Sequence, residues 1–455
     1  MAKATTHYVC QACGATSLKW LGRCLGCGGW NTLVEEKVTG SSGGKRRTEP
    51  LSEKPVPVVE IPEDRAMRLP TGIAELDRVL GGGAVLGGVV LVGGDPGVGK
   101  STLLMQALAG LARTKIPTLY ISGEESAGQA ALRARRLGID TPTLFVLATN
   151  ELSEIEKAIA DLKPVALVVD SVQTVRTDAL ESAAGTVSQL RETTARLVEI
   201  SKRERIATFL IGHVTKEGQL AGPKVLEHLV DTVLSFEGER GHAFRALRTT
   251  KNRFGSATEV GVFEMTAEGM REVAQPSALF LAERPAGAAG SVVAAVAEGA
   301  RPLLVEVQAL VGPPGTASPR RTATGLDGGR LAMLLAVLSR RAGLEVASSD
   351  VFVNVAGGMR IEEPAADLPV ALAVASSLLG RPFPSDAVAF GEIGLAGEVR
   401  GVARVAARLA EAKTMGFARA LLPATSAERL TAAEREGIEL LPVRSLEAAL
   451  DLVLR

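Results

Sequence analysis

Three groups of residues in this chain have types and spacings suited to chemistry. The first is Gly94-Asp95-Pro96-Gly97-Val98-Gly99-Lys100-Ser101, followed by Thr102, which fits G-x-x-x-x-G-K-[ST]. Its glycines let backbone N–H groups wrap a polyphosphate, Lys100 reaches the β- and γ-phosphates, and the Ser101 hydroxyl suits Mg²⁺. A helix starting there points its positive end at the same anion. The second group is acidic: Glu124 and Glu125 close TLYISGEES, and Asp170 closes the apolar part of PVALVVDSVQTV. Asp170 suits a direct or indirect role on Mg²⁺. A glutamate lying between the phosphate loop and that aspartate suits a base that polarises water. Glu124 is the expected base, with Glu125 beside it as the alternative, and a solvated loop carboxylate is the bland reading of either. The third group is Cys10, Cys13, Cys24 and Cys27, spaced C-x2-C-x10-C-x2-C. Two such knuckles set four thiolates around a tetrahedral Zn²⁺; a redox pair or a disulfide is the alternative.

A further stretch, Lys251-Asn252-Arg253-Phe254-Gly255, joins two cations, an amide, an aromatic and a glycine. Period two places Lys251 and Arg253 on one strand face. No D-x-x-G follows Asp170 and no N-K-x-D guanine reader occurs, so the bound nucleotide is expected to be ATP. His213 ends another apolar run; it reads either as a structural histidine or as a sensor of the terminal phosphate. Lys216, Gly218, Gly222 and Lys224 follow it in a loop whose cations suit a phosphate backbone.

These groups need elements to hold them. Val89–Val92 is a short apolar run suited to a buried strand, and it leads straight into the phosphate loop. Apolar runs before Glu124, Asp170 and His213 repeat the pattern, which implies an α/β core of buried strands. Thr232 to Phe236, a turn at Glu239 to Gly241 and a returning strand from Phe244 read as a hairpin that ends on Lys251–Gly255.

The bulk properties bound the rest. A chain of 455 residues with 46% apolar composition suggests two or three globular domains. Lys plus Arg equals Asp plus Glu at 51 each, so net charge neither favours nor excludes a nucleic-acid partner. No apolar run reaches membrane-spanning length and the N-terminus lacks an apolar signal core, so a cytoplasmic location without membrane contact is expected. All four cysteines lie in the first 27 residues. So small a segment draws its folding energy from the metal. Trp20 and Trp30 read as its core, with a surface for stacking bases as the alternative. Val38 to Ala66 reads as a linker, with Lys45, Arg46 and Arg47 as solvated charges.

Taken together, TGIAELDRVLGGG, GGDPGVGKSTLL, YISGEES, VVDSVQTV, GHVTKEG, AGPKVLEH and KNRFG resemble the bacterial RadA (Sms) family. These are RecA-related ATPases of DNA repair and recombination, distinct from archaeal RadA. The likeness extends over nearly the whole chain. It implies a zinc ribbon-like module at 1–35, a linker at 36–66, a RecA-like P-loop ATPase domain at 67–274 and an α+β Lon protease-like domain at 275–455. It also implies a homohexameric ring on single-stranded DNA, driving branch migration of recombination intermediates alongside the RecA recombinase. ATP would sit between protomers, with Lys251 and Arg253 offered to a neighbour's nucleotide. The cofactors implied are ATP, Mg²⁺ and Zn²⁺.

The Lon-like likeness departs from the protease pattern at its dyad. The serine position falls on Ala365, within Glu363-Pro364-Ala365-Ala366-Asp367, and the lysine position falls on Ala406. Alanine supplies neither nucleophile nor proton acceptor, so a scaffold without peptidase activity is expected. Arg301, Arg320, Arg321, Arg330, Arg340 and Arg341 are candidates for a basic surface, since guanidinium forks suit phosphates.

Overall fold

The computed structural model describes residues 5–11, 14–38, 57, 59, 67–113, 115–212, 225–238, 244–285, 287–299, 301–315 and 319–454. Cys13, Lys45, Arg46, Arg47, His213, the Lys216–Lys224 loop and the Glu239–Gly241 turn lie outside them. The chain divides into two compact units, Met1–Glu237 with Arg245–Glu272, and Gly238–Phe244 with Val273–Arg455.

In the first unit the described core strands are β1 (Val89–Gly94), β2 (Thr118–Ser122), β3 (Leu144–Ala148), β4 (Ala166–Asp170), β5 (Ala207–Ile211), β6 (Thr232–Glu237), β7 (Phe244–Asn252), β8 (Val260–Thr266) and β9 (Gly269–Glu272). They form one sheet in the order β9-β8-β7-β6-β1-β5-β4-β2-β3. Strands β1 to β6 run parallel, and β7 turns back antiparallel to β6. β1, β2 and β5 are buried along their whole length, as strands covered on both faces must be. Alternation along each strand feeds two cores. Val90, Val92, Tyr120, Val168 and Phe209 face helix α1 (Lys100–Ala112) through Leu103, Leu104 and Leu108. Val89, Leu91, Ile121, Val169 and Leu210 face α3 (Leu152–Leu162) and α4 (Val187–Glu204) through Ile155, Ile159, Leu190 and Leu197. Helix α2 (Ala127–Arg136) follows β2 and starts on a capping box made by Ser126 and Gln129. A short helix, α5 (Val225–Leu229), precedes β6.

The N-terminal module is a small antiparallel sheet of Thr16–Ser17, Thr5–Cys10 and Leu33–Val38, with Cys10 opposite Leu33. Its described core is only Cys10, Cys24 and Leu33, with Tyr8, Ala15 and Leu21 against it. Trp20 and Trp30 are not in that core. They are 55% and 70% exposed, which overturns the expectation that they fill it. The module is too thin to enclose two indoles once the thiols occupy its centre.

The second unit carries β10 (Ser291–Glu298), β11 (Arg301–Gly312), β12 (Arg321–Thr324), β13 (Asp350–Val355), β14 (Ala387–Ala389), β15 (Arg419–Pro423) and β16 (Glu439–Val443) in a sheet ordered β12-β13-β11-β10-β14-β15-β16. Helices α6 (Gly328–Arg341), α7 (Asp367–Leu379) and α8 (Val405–Thr414) are among those that cover it. Ala365 is buried beside Leu409 of α8, so both dyad positions fall on adjoining elements. Arg408, two residues beyond Ala406, is fully buried. It donates to Ala295 O at 2.6 Å and Ala403 O at 3.0 Å, pairs with Glu363, and sits 5.6 Å from the Phe390 ring centroid. A fully buried arginine two residues from Ala406 thus pairs with a partly exposed glutamate two residues from Ala365. Ser376 and Ser377 of α7 accept hydrogen bonds from Gly290 N and Val311 N at 2.9 Å.

Removing the buried guanidinium leaves Ala295 O and Ala403 O without their donor and Glu363 without its cation. Arg408→Ala is expected to destabilise this unit by about 1–3 kcal/mol, and the joint change Arg408→Met with Glu363→Gln by a different amount that separates the lost donor from the unpaired carboxylate. Chemical denaturation of the three proteins checks this.

Candidate nucleotide-binding site

β1 delivers the chain to the phosphate loop, and α1 begins at Lys100. Gly94 is at φ 146°, and a Cβ there would lie 2.4 Å from Phe236 O. Gly99, at φ 113°, would meet Met265 Cε at 2.7 Å. Only glycine allows the loop to run this close to β6 and β8. Asp95, Pro96 and Gly97 are exposed, and nothing stands within 4 Å of a Cβ built on Gly97. The loop backbone is therefore open to an incoming phosphate. Lys100 is 4% exposed, and its Nζ donates to Gly94 O at 2.6 Å and Asp95 O at 2.9 Å. Burial lowers its pKa, and Asp170, Asp95 and Glu124 oppose that shift. An ammonium held by two loop carbonyls beside three carboxylates is poised to exchange them for phosphate oxygens.

The parallel sheet sets the carboxylates beside this loop. β2 and β4 are neighbours, with Ser122 opposite Asp170, so Glu124 and Asp170 leave adjacent strand ends on the side where α/β sheets bind ligands. Ser171, joined to Asp170 by a cis peptide bond, donates from Oγ to Glu124 Oε1 at 2.7 Å. Glu125 instead pairs with Arg133 of α2, and its N–H bonds to Ser122 Oγ at 3.1 Å. The two glutamates thus have different surroundings: Glu124 faces the Lys100 side, and Glu125 is tied to α2.

Two residues that sequence reasoning missed organise the carboxylate side of the phosphate loop. Tyr120 donates its hydroxyl to Asp170 Oδ2 and hydrogen-bonds the Ser101 side chain. Burial first, then the Asp170 charge, pushes the phenol far above its usual pKa, so it stays a donor. Arg133 reaches Tyr120 OH at 3.2 Å and Asp170 Oδ2 at 3.8 Å while pairing with Glu125. Ser101 and Asp170 are thereby brought to one phenol. The only sequence signal was Tyr120 inside TLYISGEES and an arginine on the helix that follows the two glutamates. This donor set, a hydroxyl and a carboxylate beside a lysine-bearing phosphate loop, fits a magnesium nucleotide.

Lys251 and Arg253 lie elsewhere. β6 aligns Thr232 with Val90 and Phe236 with Gly94, and β7 aligns Asn252 with Thr232. The motif therefore sits at the opposite end of β1 from the phosphate loop. About four residues of strand separate them, roughly 13 Å along the sheet. Lys251 Nζ donates to Glu227 O at 2.6 Å and Val230 O at 2.8 Å. Burial and the nearby Arg253 charge lower its pKa. Arg253 is half-exposed and pairs with Asp231 at 3.5 Å. The other oxygen of Asp231 accepts from Val89 N at 3.1 Å. Asn252, bonded to Leu80 O at 3.3 Å and Thr232 Oγ1 at 3.2 Å, pins the turn.

In the N-terminal module the sulfurs of Cys10, Cys24 and Cys27 lie within 4.8 Å of one another. Cys10 Sγ and Cys27 Sγ are 3.7 Å apart. Zinc–thiolate bonds of about 2.3 Å give a tetrahedral edge of about 3.8 Å, so the cluster fits the ion. Gly14 and Gly28, at φ 73° and 75°, turn each knuckle.

The basic surface expected in the second unit is smaller than six arginines. Arg301 is buried, donating to Ala274 O at 3.0 Å, and Arg330 forks onto buried Asp367. The strand pleat turns one inward and the helix start turns the other, which residue type alone cannot reveal. Arg320, Arg321, Arg340 and Arg341 are exposed. Arg321 reaches Ala347 O at 3.4 Å, just beyond α6, so the strand start and the helix end share one region.

Comparison with known proteins agrees with this geometry. A model described as AAA domain matches residues 55–219, one described as a rubredoxin metal binding domain matches 8–35, and one described as subunit ChlI of Mg-chelatase matches 333–426. The DNA repair protein RadA of Bacillus subtilis is 49% identical over 455 residues, covering 99% of both chains. The chain belongs to the bacterial RadA family. The RadA proteins of Pseudomonas aeruginosa and Aquifex aeolicus, 50% and 48% identical over 453 residues, cover 99% and 100% of both chains. RadA membership and the AAA domain make this a DNA repair protein built on an ATPase core, with a zinc ribbon and a ChlI/Lon-like domain. Among the described residues no helix is long and apolar enough to cross a membrane.

Proposed function

We propose that this RadA-family chain is a DNA-dependent ATPase that works as a homohexameric ring on single-stranded DNA. It extends recombination intermediates by branch migration, alongside the RecA recombinase. The observation that carries this reading is the placement of Lys251–Gly255 at the far end of the sheet from its own phosphate loop. A half-exposed arginine there cannot serve its own nucleotide, but it can serve a neighbour's. Domain limits at residues 35, 66 and 274 are part of the same reading.

Bound Mg-ATP supplies the anhydride to be cleaved and a cation that spreads its charge. The chain's residues do the rest. Loop N–H groups from Gly94 to Ser101 and the α1 N-terminus hold the phosphates, with Thr102 behind them. Lys100 leaves its two carbonyls for the β- and γ-oxygens. Ser101 and Asp170, aligned by Tyr120, hold the cation. Glu124, fixed by Ser171, orients water and takes its proton. Arg253 from the adjacent protomer leaves Asp231 and offsets charge as the anhydride breaks. Lys251, held by Glu227 O and Val230 O, keeps the finger's strand end in place and adds positive field. The Lon-like unit acts as a DNA-binding scaffold without peptidase activity, since Ala365 and Ala406 leave no nucleophile or base at the dyad.

ATPase and strand-extension assays with and without single-stranded DNA test the reading. Stimulated turnover coupled to extension is expected. Nucleotide-controlled DNA binding without steady turnover would instead make the protein a gated scaffold. Neutralising Arg320 and Arg321 together is expected to weaken single-strand binding. The log–log salt slope should fall by about 0.7 for each phosphate that is no longer neutralised. Titrations at several salt concentrations check it, and unchanged binding sinks the basic-surface role.

A further inference from the structure

The two tryptophans of the N-terminal module are held out of its core on an ordered backbone. Tryptophan is usually well buried, yet Trp20 and Trp30 present most of their surface to solvent, and Leu18 and Leu25 are 73% and 89% exposed nearby in sequence. The indoles lie together. A Cβ built on Gly22 would be 3.8 Å from Trp20 Cη2 and 3.8 Å from Trp30 Cζ3. The backbone beneath them is tied: Arg23 and Trp30 form an antiparallel bridge, Asn31 N donates to Gly22 O at 2.8 Å, and Cys24 N donates to Gly29 O at 2.8 Å. Cys24 is itself one of the clustered thiols, so the metal-binding knuckle sets the position of the pair.

The charges within the knuckle segment are cationic, and the module's first carboxylates after it are Glu35 and Glu36 on the strand that follows. From Tyr8 to Val34 the sequence carries Lys19 and Arg23 and no carboxylate. Lys19 and Arg23 are both exposed, and the Arg23 guanidinium is 5.9 Å from the Trp30 ring centroid. Paired exposed aromatics with an exposed lysine and arginine in the same knuckle segment match a polyanion with accessible ring faces: bases stack on the indoles while phosphates meet the cations. Duplex DNA keeps its bases stacked on one another and offers no such faces.

We infer that Trp20 and Trp30, with Lys19 and Arg23, form a base-stacking platform for single-stranded DNA on the zinc-ribbon module. This rests on the single-stranded DNA reading above. It adds a second contact point, at the N-terminus, that the ATPase core and the basic surface do not provide.

These are the only two tryptophans in the chain, so tryptophan emission reports this surface alone. Zinc-loaded full-length protein is titrated with oligothymidine, following tryptophan emission and the anisotropy of a labelled strand together. Quenching that tracks the anisotropy is expected. Trp20→Ala and Trp30→Ala are each expected to weaken binding about tenfold. Trp20→Phe and Trp30→Phe keep most of the affinity, and all four variants retain zinc. Should anisotropy report binding with emission unchanged and the alanine variants unaffected, the platform is wrong and the DNA-dependent reading stands. Should the wild type show no anisotropy change, both fall. An emission change caused by a protein partner and not by oligothymidine assigns the face to protein and overturns the proposal.

Discussion

Arg253→Ala lowers DNA-stimulated ATP turnover by about 10³-fold, the scale on which an arginine finger acts, while nucleotide binding is retained. The retained binding follows from geometry. Arg253 bonds Asp231 at the end of β1 away from the phosphate loop, so its loss leaves the loop, Lys100 and Asp170 untouched. Asp231 still holds Val89 N, so the fold keeps its anchor. The decisive measurement mixes Arg253→Ala with Lys100→Ala. Each is inactive alone, but a protomer with an intact loop beside one with an intact arginine makes a complete site. Partial recovery of turnover in the mixture is expected. If each variant assembles normally and the mixture recovers nothing, the arginine does not act across protomers.

Glu124→Gln lowers turnover by about 10²–10⁴-fold, the range for loss of a positioned base, with little change in nucleotide affinity. The amide keeps the hydrogen bond from Ser171 but cannot take a proton. Glu125→Gln has a much smaller effect on the chemical step, because Glu125 is committed to Arg133 of α2 rather than to the Lys100 side. Single-turnover assays on the two variants separate them. A larger defect in Glu125→Gln reverses the assignment.

The sequence by itself determined the pieces whose chemistry is local. G-x-x-x-x-G-K-[ST] needs only neighbouring backbone to wrap a phosphate, so Gly94–Ser101 was legible without a fold. Paired C-x-x-C knuckles are local in the same sense, and three of their four sulfurs are described together. Apolar runs before Glu124 and Asp170 announced buried strands, and the parallel pairing of those strands put both carboxylates at adjacent strand ends. The empty dyad at Ala365 and Ala406 was also plain from residue type.

Only the tertiary structure decided which side chains meet across elements. Tyr120 looked like one more apolar strand residue until strand pairing set it beside Asp170, with Arg133 reaching back from α2. Arg301 and Arg330 looked like surface cations, but sheet pleat and helix phase turned them onto Ala274 O and Asp367. Lys251 and Arg253 looked equivalent by period two. Packing against α5 gave Lys251 two internal carbonyls and left Arg253 half-exposed. Trp20 and Trp30 looked like core because indoles favour burial, and the thiol-filled centre of the module excluded them. In each case the residue type was known, but its role depended on which surface happened to face it. That is set by long-range packing and not by neighbours in the chain.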